Sequence, residues 1–198
     1  MKITEIILHH SGGLKDNARA STINTTPEQI SDYHKSLWNF PSKFITDGRI
    51  RYAGYTVIYS PVTRQFVQCR AIGEETAHCL GQNKSSVGIC IIGNYTKGVD
   101  KLTENTIRDV TRFIFNLIHD NKRNLIVSPN TELQLSTQRI HAHRYYQSNT
   151  ECYGTGIEDN FFRDKVIDHT KRLFTAYKQL LKLWYFVLDK KRSQDYKK

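Results

Sequence analysis

The chain has 198 residues, 38% of them hydrophobic and 24% charged, which suits one hydrophobic core and excludes both a disordered polar chain and a membrane-spanning one. A formal net charge of +10 predicts attraction to a polyanion but does not choose among nucleic acid, an anionic membrane surface and an acidic polymer. Four cysteines (Cys69, Cys79, Cys90 and Cys152), none in a CxxC pair, are too sparse for a disulfide scaffold; Cys90 lies in an apolar run and reads as buried, and Cys69 and Cys79 read as buried free thiols, with a disulfide between them as the alternative.

The first element is a buried strand: Lys2 to His10 alternates and then turns apolar at Ile6, Ile7 and Leu8, stopping at Ser11-Gly12-Gly13. Leu14 to Thr25 is a polar loop. Thr26-Pro27-Glu28-Gln29 then starts a helix, with Thr as N-cap, Pro at the first position and Gln three residues after the cap, and Pro41 follows its expected end near Trp38. Ile50 to Tyr59 is β-branched and aromatic and predicts a strand closed by Pro61, with Gln65 to Arg70 as its partner. Val87 to Ile92 is a continuous apolar run between a polar loop and Gly93-Asn94, the pattern of a strand buried on both faces in the middle of a sheet.

Thr103 caps a second helix, in which Ile107, Val110, Ile114, Leu117 and Ile118 recur at helical spacing up to about Asp120. Ser136 to His143 predicts a short last strand, followed by an irregular stretch through Gly156. From Glu158 onward, Phe162, Val166, Leu173, Tyr177, Leu180, Leu181, Trp184 and Leu188 suit a long amphipathic helix ending in the basic run Lys190 to Lys198. The expected fold is α/β: a single domain with a central mixed β-sheet flanked by helices, plus a long C-terminal amphipathic basic helix. The division is residues 1–157 for the globular domain and 158–198 for the helix and tail.

Imidazole and thiolate are the ligand types zinc prefers, and three protein ligands leave a fourth position for water. His9 or His10 at one strand end, His141 or His143 at another, and Cys152 nine residues after His143 could converge at one sheet edge. Spacing alone leaves open which histidines serve, and whether any of them meet.

Five segments resemble, in order, the motifs of the zinc-dependent N-acetylmuramoyl-L-alanine amidases, a family that includes phage amidase-type lysozymes and peptidoglycan recognition proteins. They are Ile6 to Ser11, Ala53 to Ile58, Ala77 to Asn83, Ser86 to Asn94, and His143-Arg144 through Cys152-Tyr153-Gly154. The resemblance implies zinc ligands at His9, His143 and Cys152, with His10 turned to the opposite face by strand alternation and His141 as the rival to His143. It implies that Tyr55 faces the zinc water and that Tyr55 and Thr150 hydrogen-bond the developing oxyanion, and that His78 lines the substrate groove. Where the family has Cys-Pro-Gly, this chain has Cys152-Tyr153-Gly154, without proline's fixed φ.

The implied reaction is hydrolysis of the amide between N-acetylmuramic acid and L-alanine of peptidoglycan. A non-catalytic peptidoglycan-binding module and a cytosolic muropeptide-recycling amidase are the competing readings. The start lacks the basic-then-apolar profile of a secretory signal. The expectation is therefore synthesis in the cytoplasm and action on the wall after release, as in a phage-type endolysin. No nucleic-acid motif accompanies the charge. The basic C-terminal helix suits an anionic wall polymer, a membrane surface or self-association.

Overall fold

A computed structural model describes residues 1–45, 48–119 and 125–195, with side chains described as far as Trp184. Leu188 and the Lys190 to Lys198 run, assigned above to the amphipathic helix and its tail, lie outside the described side chains. The elements in chain order are β1 (Lys2–Ile3), β2 (Glu5–His10), α1 (Pro27–Trp38), β3 (Val57–Ser60), β4 (Gln65–Gln68), β5 (Ser86–Ile91), α2 (Glu104–His119), β6 (Glu132–Leu133), β7 (Ile140–Ala142) and α3 (Phe161–Asp195).

Five strands form a mixed sheet in the order β4-β3-β5-β2-β7, and β5 occupies its centre, as its apolar run requires. The pairs β2–β5, β3–β5 and β2–β7 are parallel and β3–β4 is antiparallel, with His9 opposite Cys90 and Ile7 opposite both Gly88 and His141. A two-stranded parallel pair, β1–β6, sits apart from it. Strand alternation sends Ile6, Leu8, Val87, Ile89 and Ile91 to one face, where they pack with Val110 and Ile114 of α2 and Phe162 and Val166 of α3. The other face carries Ile58 and Cys90 against Ile30 of α1.

The capping box read from Thr26 and Gln29 forms, with the Thr26 hydroxyl accepting from Gln29 N at 3.2 Å and Gln29 Oε1 accepting from Thr26 N at 2.8 Å. Thr103 caps α2 in the same sense, accepting from Thr106 N at 3.1 Å. All four cysteines are free thiols.

Two strands are much shorter than the residue pattern predicts, and β4 stops at Gln68 rather than Arg70. Ile50 to Thr56 is not strand, because its backbone groups are satisfied elsewhere: Arg70 Nε donates to Ala53 O at 2.7 Å, Gly54 N donates to His34 Nδ1 at 2.9 Å, and Gly54 O accepts from Ala77 N at 3.0 Å. Only glycine fits at 54, since a Cβ there would lie 2.3 Å from Ala77 O. The second shortened strand is the last one. Thr137–Arg139 and His143–Tyr145 are 3₁₀ turns flanking the three residues of β7, so His143 stands just past the strand end.

Candidate metal centre and groove

A ring nitrogen of His9, the Cys152 sulfur and a ring nitrogen of His143 form a group of donor atoms that all lie within 4.8 Å of one another. Three elements deliver them. β2 carries His9 on the face opposite Ile6 and Leu8, the 3₁₀ turn after β7 carries His143, and the loop before α3 carries Cys152. The loop is tied to the turn by Arg144 N donating to Cys152 O at 2.9 Å.

Alternation separates the neighbouring histidines. His10 turns to the opposite face, where its Nδ1 accepts from Tyr95 N at 3.0 Å. His141 shares a face with His9 but lies lower in the sheet, with its ring stacked on Tyr145 at 4.3 Å and its Nε2 3.5 Å from Glu5.

A hydrogen-bond chain fixes the tautomer of His9. The Ser86 hydroxyl donates to Gln82 O at 2.6 Å, so toward His78 Nε2, at 3.2 Å, it can only accept. His78 therefore carries its proton on Nε2 and accepts at Nδ1 from His9 Nε2, 2.9 Å away. That leaves a lone pair on His9 Nδ1, which lies 3.5 Å from the Cys152 sulfur. On His143, Nε2 donates to Gln147 Oε1 at 2.6 Å, leaving Nδ1 as its acceptor atom. A partner on the far ring nitrogen is how proteins orient metal-ligating histidines.

Burial, followed by the neighbouring His78 and His143, pushes His9 well below the usual histidine value. Burial also lowers His143, and it takes His78 to about 3. It pushes the Cys152 thiol up to about 12 against the opposing His10 N–H, which donates to the sulfur at 3.4 Å. The donors are thus neutral imidazoles and a thiol short of positive charge, the environment in which a bound cation stabilises thiolate. A tetrahedral zinc site has N···S edges of about 3.6 Å, which the His9–Cys152 separation matches. The donor set fits zinc.

The donors line an open groove of about 510 Å³ bordered by Trp38, Tyr55, Leu80 and Thr150. The Tyr55 ring lies 5.1 Å from that of His9, and burial, followed by Cys90 and Cys152, holds its phenol well above the usual value. Thr150 Oγ1 accepts from Cys152 N at 3.2 Å, which leaves its O–H available as a donor. His78 borders the groove but is only 7% exposed, with both ring nitrogens engaged inside the protein. Its ring rests on Gly88 of β5, where an added Cβ would fall 2.5 Å from His78 Cδ2.

Tyr153, in the place of proline, is fully buried; its ring faces Phe162 and its hydroxyl donates to Glu158 O at 2.8 Å, anchoring the Cys152 loop to the start of α3. The Arg144 guanidinium adds a bond to Gly154 O at 2.8 Å. Residue patterns alone do not single out Ser86 or Gln147 for the site. Ser86 opens the central strand and Gln147 stands four residues after a candidate ligand; both lie inside segments that resemble the family, but neither residue type marks a role there.

A mixed sheet with helices on both faces and a His-His-Cys cluster at one edge defines an α/β protein with a zinc-type donor set. The sequence profile of the N-acetylmuramoyl-L-alanine amidase family matches residues 1–155, and the chain belongs to that family. Among solved structures, the chain is similar to the Ph2119 endolysin of the Thermus scotoductus MAT2119 bacteriophage Ph2119, at a TM-score of 0.56 and 15% identity over 84% of this chain and 86% of that one. It is also similar to the N-acetylmuramoyl-L-alanine amidase LysC from Clostridium intestinale URNW, at 0.53 and 17% over 84% and 97% of the two chains. Apis mellifera PGRP-SA follows at 0.52 and 19%, over 78% of each chain. A search of curated protein sequences returns no match.

Proposed function

We propose that the chain is a zinc-dependent amidase that cleaves peptidoglycan between the lactyl group of N-acetylmuramic acid and L-alanine. The observation that carries this reading is the convergence of His9, His143 and Cys152 at the floor of an open groove, with the far nitrogens of both histidines held by protein partners. Zinc held there supplies a water of lowered pKa and polarisation of the scissile carbonyl. Each residue then has a distinct task. His78 and Ser86 keep His9 in the tautomer that presents Nδ1, and Gln147 does the same for His143. Tyr55, whose protonated phenol is hydrogen-bonded to Cys90, and Thr150 border the groove as hydroxyl groups suited to the oxygen that gains charge as the amide carbon becomes tetrahedral. Trp38 and the 81% exposed Leu80 offer apolar surface at the rim for the glycopeptide.

Within this reading, the substrate is the intact wall and the protein acts as an endolysin, made in the cytoplasm and reaching the wall after release. The openness of the groove and the +10 charge favour a large anionic polymer over a small soluble fragment. Comparing rates on intact sacculi and on soluble muropeptides tests this choice. Faster turnover of sacculi is expected, and a preference for muropeptides would assign the chain to cytosolic recycling instead. Tight binding without cleavage by the zinc-loaded protein would make it a recognition module.

A further inference from the structure

α3 changes character along its length. Its first turns are core, since Phe162 and Val166 are fully buried with the sheet and α2, whereas every residue from Lys171 to Leu180 is exposed. Leu173, Phe174, Tyr177, Leu180, Leu183 and Trp184 are large apolar side chains with exposures between 45% and 64%. At 3.6 residues per turn, Leu173, Tyr177, Leu180, Leu181 and Trp184 fall within an arc of about 100°, with Phe174 at its edge. Lys171, Lys178 and Lys182 line the sector beyond Phe174, and Lys178 Nζ lies 4.6 Å from the centre of the Phe174 ring, with its stem along the apolar border.

We propose that this exposed stretch of α3 docks in the plane of an anionic lipid surface. The argument is charge complementarity. No acidic residue lies between Asp168 and Asp189, while Lys171, Arg172, Lys178 and Lys182 do. The spacing of Leu173, Tyr177, Leu180 and Trp184 would also form a helix-pairing seam, but a second copy would bring only more cations to it, and the flanking Phe174 and Leu181 supply none of the opposite charges that set pairing. An anionic bilayer supplies both what the cations lack and what the apolar arc needs, and tyrosine and tryptophan suit the interfacial depth. No helix among the described residues is long and apolar enough to cross a membrane, consistent with a helix lying on the surface. The binding requires neither zinc nor amidase activity.

Flotation of the full chain tests it, using vesicles of phosphatidylglycerol mixed equally with phosphatidylcholine against vesicles of phosphatidylcholine alone. Partitioning onto the anionic vesicles should be at least about tenfold stronger and should fall as salt rises from about 0.1 M to about 0.5 M. The double variant Lys178→Gln/Lys182→Gln should lose about 30-fold. Tyr177→Ser/Leu180→Ser should lose at least about tenfold, with the circular dichroism and melting temperature of the core unchanged. Equal binding to both vesicle types, or binding that neither variant weakens, would overturn the proposal. So would a lipid-free dimer that Tyr177→Ser/Leu180→Ser dissolves in a protein that ignores vesicles, or binding to soluble polyphosphate that the serine variant leaves intact.

Discussion

His9 shows what one residue step decides in a strand. Ile6 and Leu8 had to enter the core, so His9 had to face the other way, and the family resemblance and the strand period agree on it. The partners that make it a good ligand were not legible, because Ser86 and His78 are distant in sequence from His9 and ordinary in type. Replacing His78 by Leu removes the acceptor that keeps the proton on His9 Nε2. Zinc affinity, measured by competition with a chromophoric chelator, should weaken by about 10–100-fold while the fold is retained; unchanged affinity would show that the His78 contact does not orient the ligand. Gly88→Ala should have a similar effect for a steric reason, since the new methyl occupies the place of the His78 ring. His78 itself illustrates the limit of motif reading: its position in the groove could be anticipated, but the engagement of both its nitrogens within the protein could not.

Among the elements, α1 and the segment it supports differ in how plainly residue patterns mark them. The capping box made the start of α1 plain, whereas the segment before Val57 has strand composition and is held by side chains instead. One of these is His34, whose Nδ1 accepts from Gly54 N. Burial, followed by the Arg70 charge, lowers His34 from 6.5 to about 4. Between those values the unfolded chain binds more protons than the folded one, so stability falls as pH drops through this window, by on the order of 3 kcal/mol from this residue. His34→Asn, whose amide oxygen can take the place of Nδ1, should flatten that slope in urea titrations of the metal-free protein; an unaltered slope would remove His34 as its source.

The helices on the other face separate core from surface in a way that periodicity could not, because one apolar pattern runs through the whole of α3. Ile114→Ala in α2 should cost about 2–5 kcal/mol, measured by denaturant unfolding. Leu180→Ala, at 64% exposure, should change stability by no more than about 0.5 kcal/mol. A large loss at Leu180 would mean that the apolar arc of α3 is already covered within the molecule.

For the whole molecule, the central place of β5 follows from its apolar run, whereas the order of its neighbours does not, since only β3 and β4 are joined by a short turn and the other neighbouring strands are joined by long crossovers. The boundary expected at residues 157 and 158 falls where the core is still being built, since Phe162 and Val166 belong to it and Tyr153 ties the Cys152 loop to the start of α3. A chain ending at Gly156 should therefore lose cooperative unfolding. A chain ending at Arg172 should keep both its cooperative melt and its zinc affinity. Equal stability of the two would show that α3 contributes nothing to the core. The central claim is tested most directly by mass spectrometry of purified sacculi incubated with the zinc-loaded protein and with Cys152→Ala. The account predicts stem peptides released with a free L-alanine amino group by the wild type and none by the variant. No release by the zinc-loaded wild type, or equal release by the variant, would contradict it.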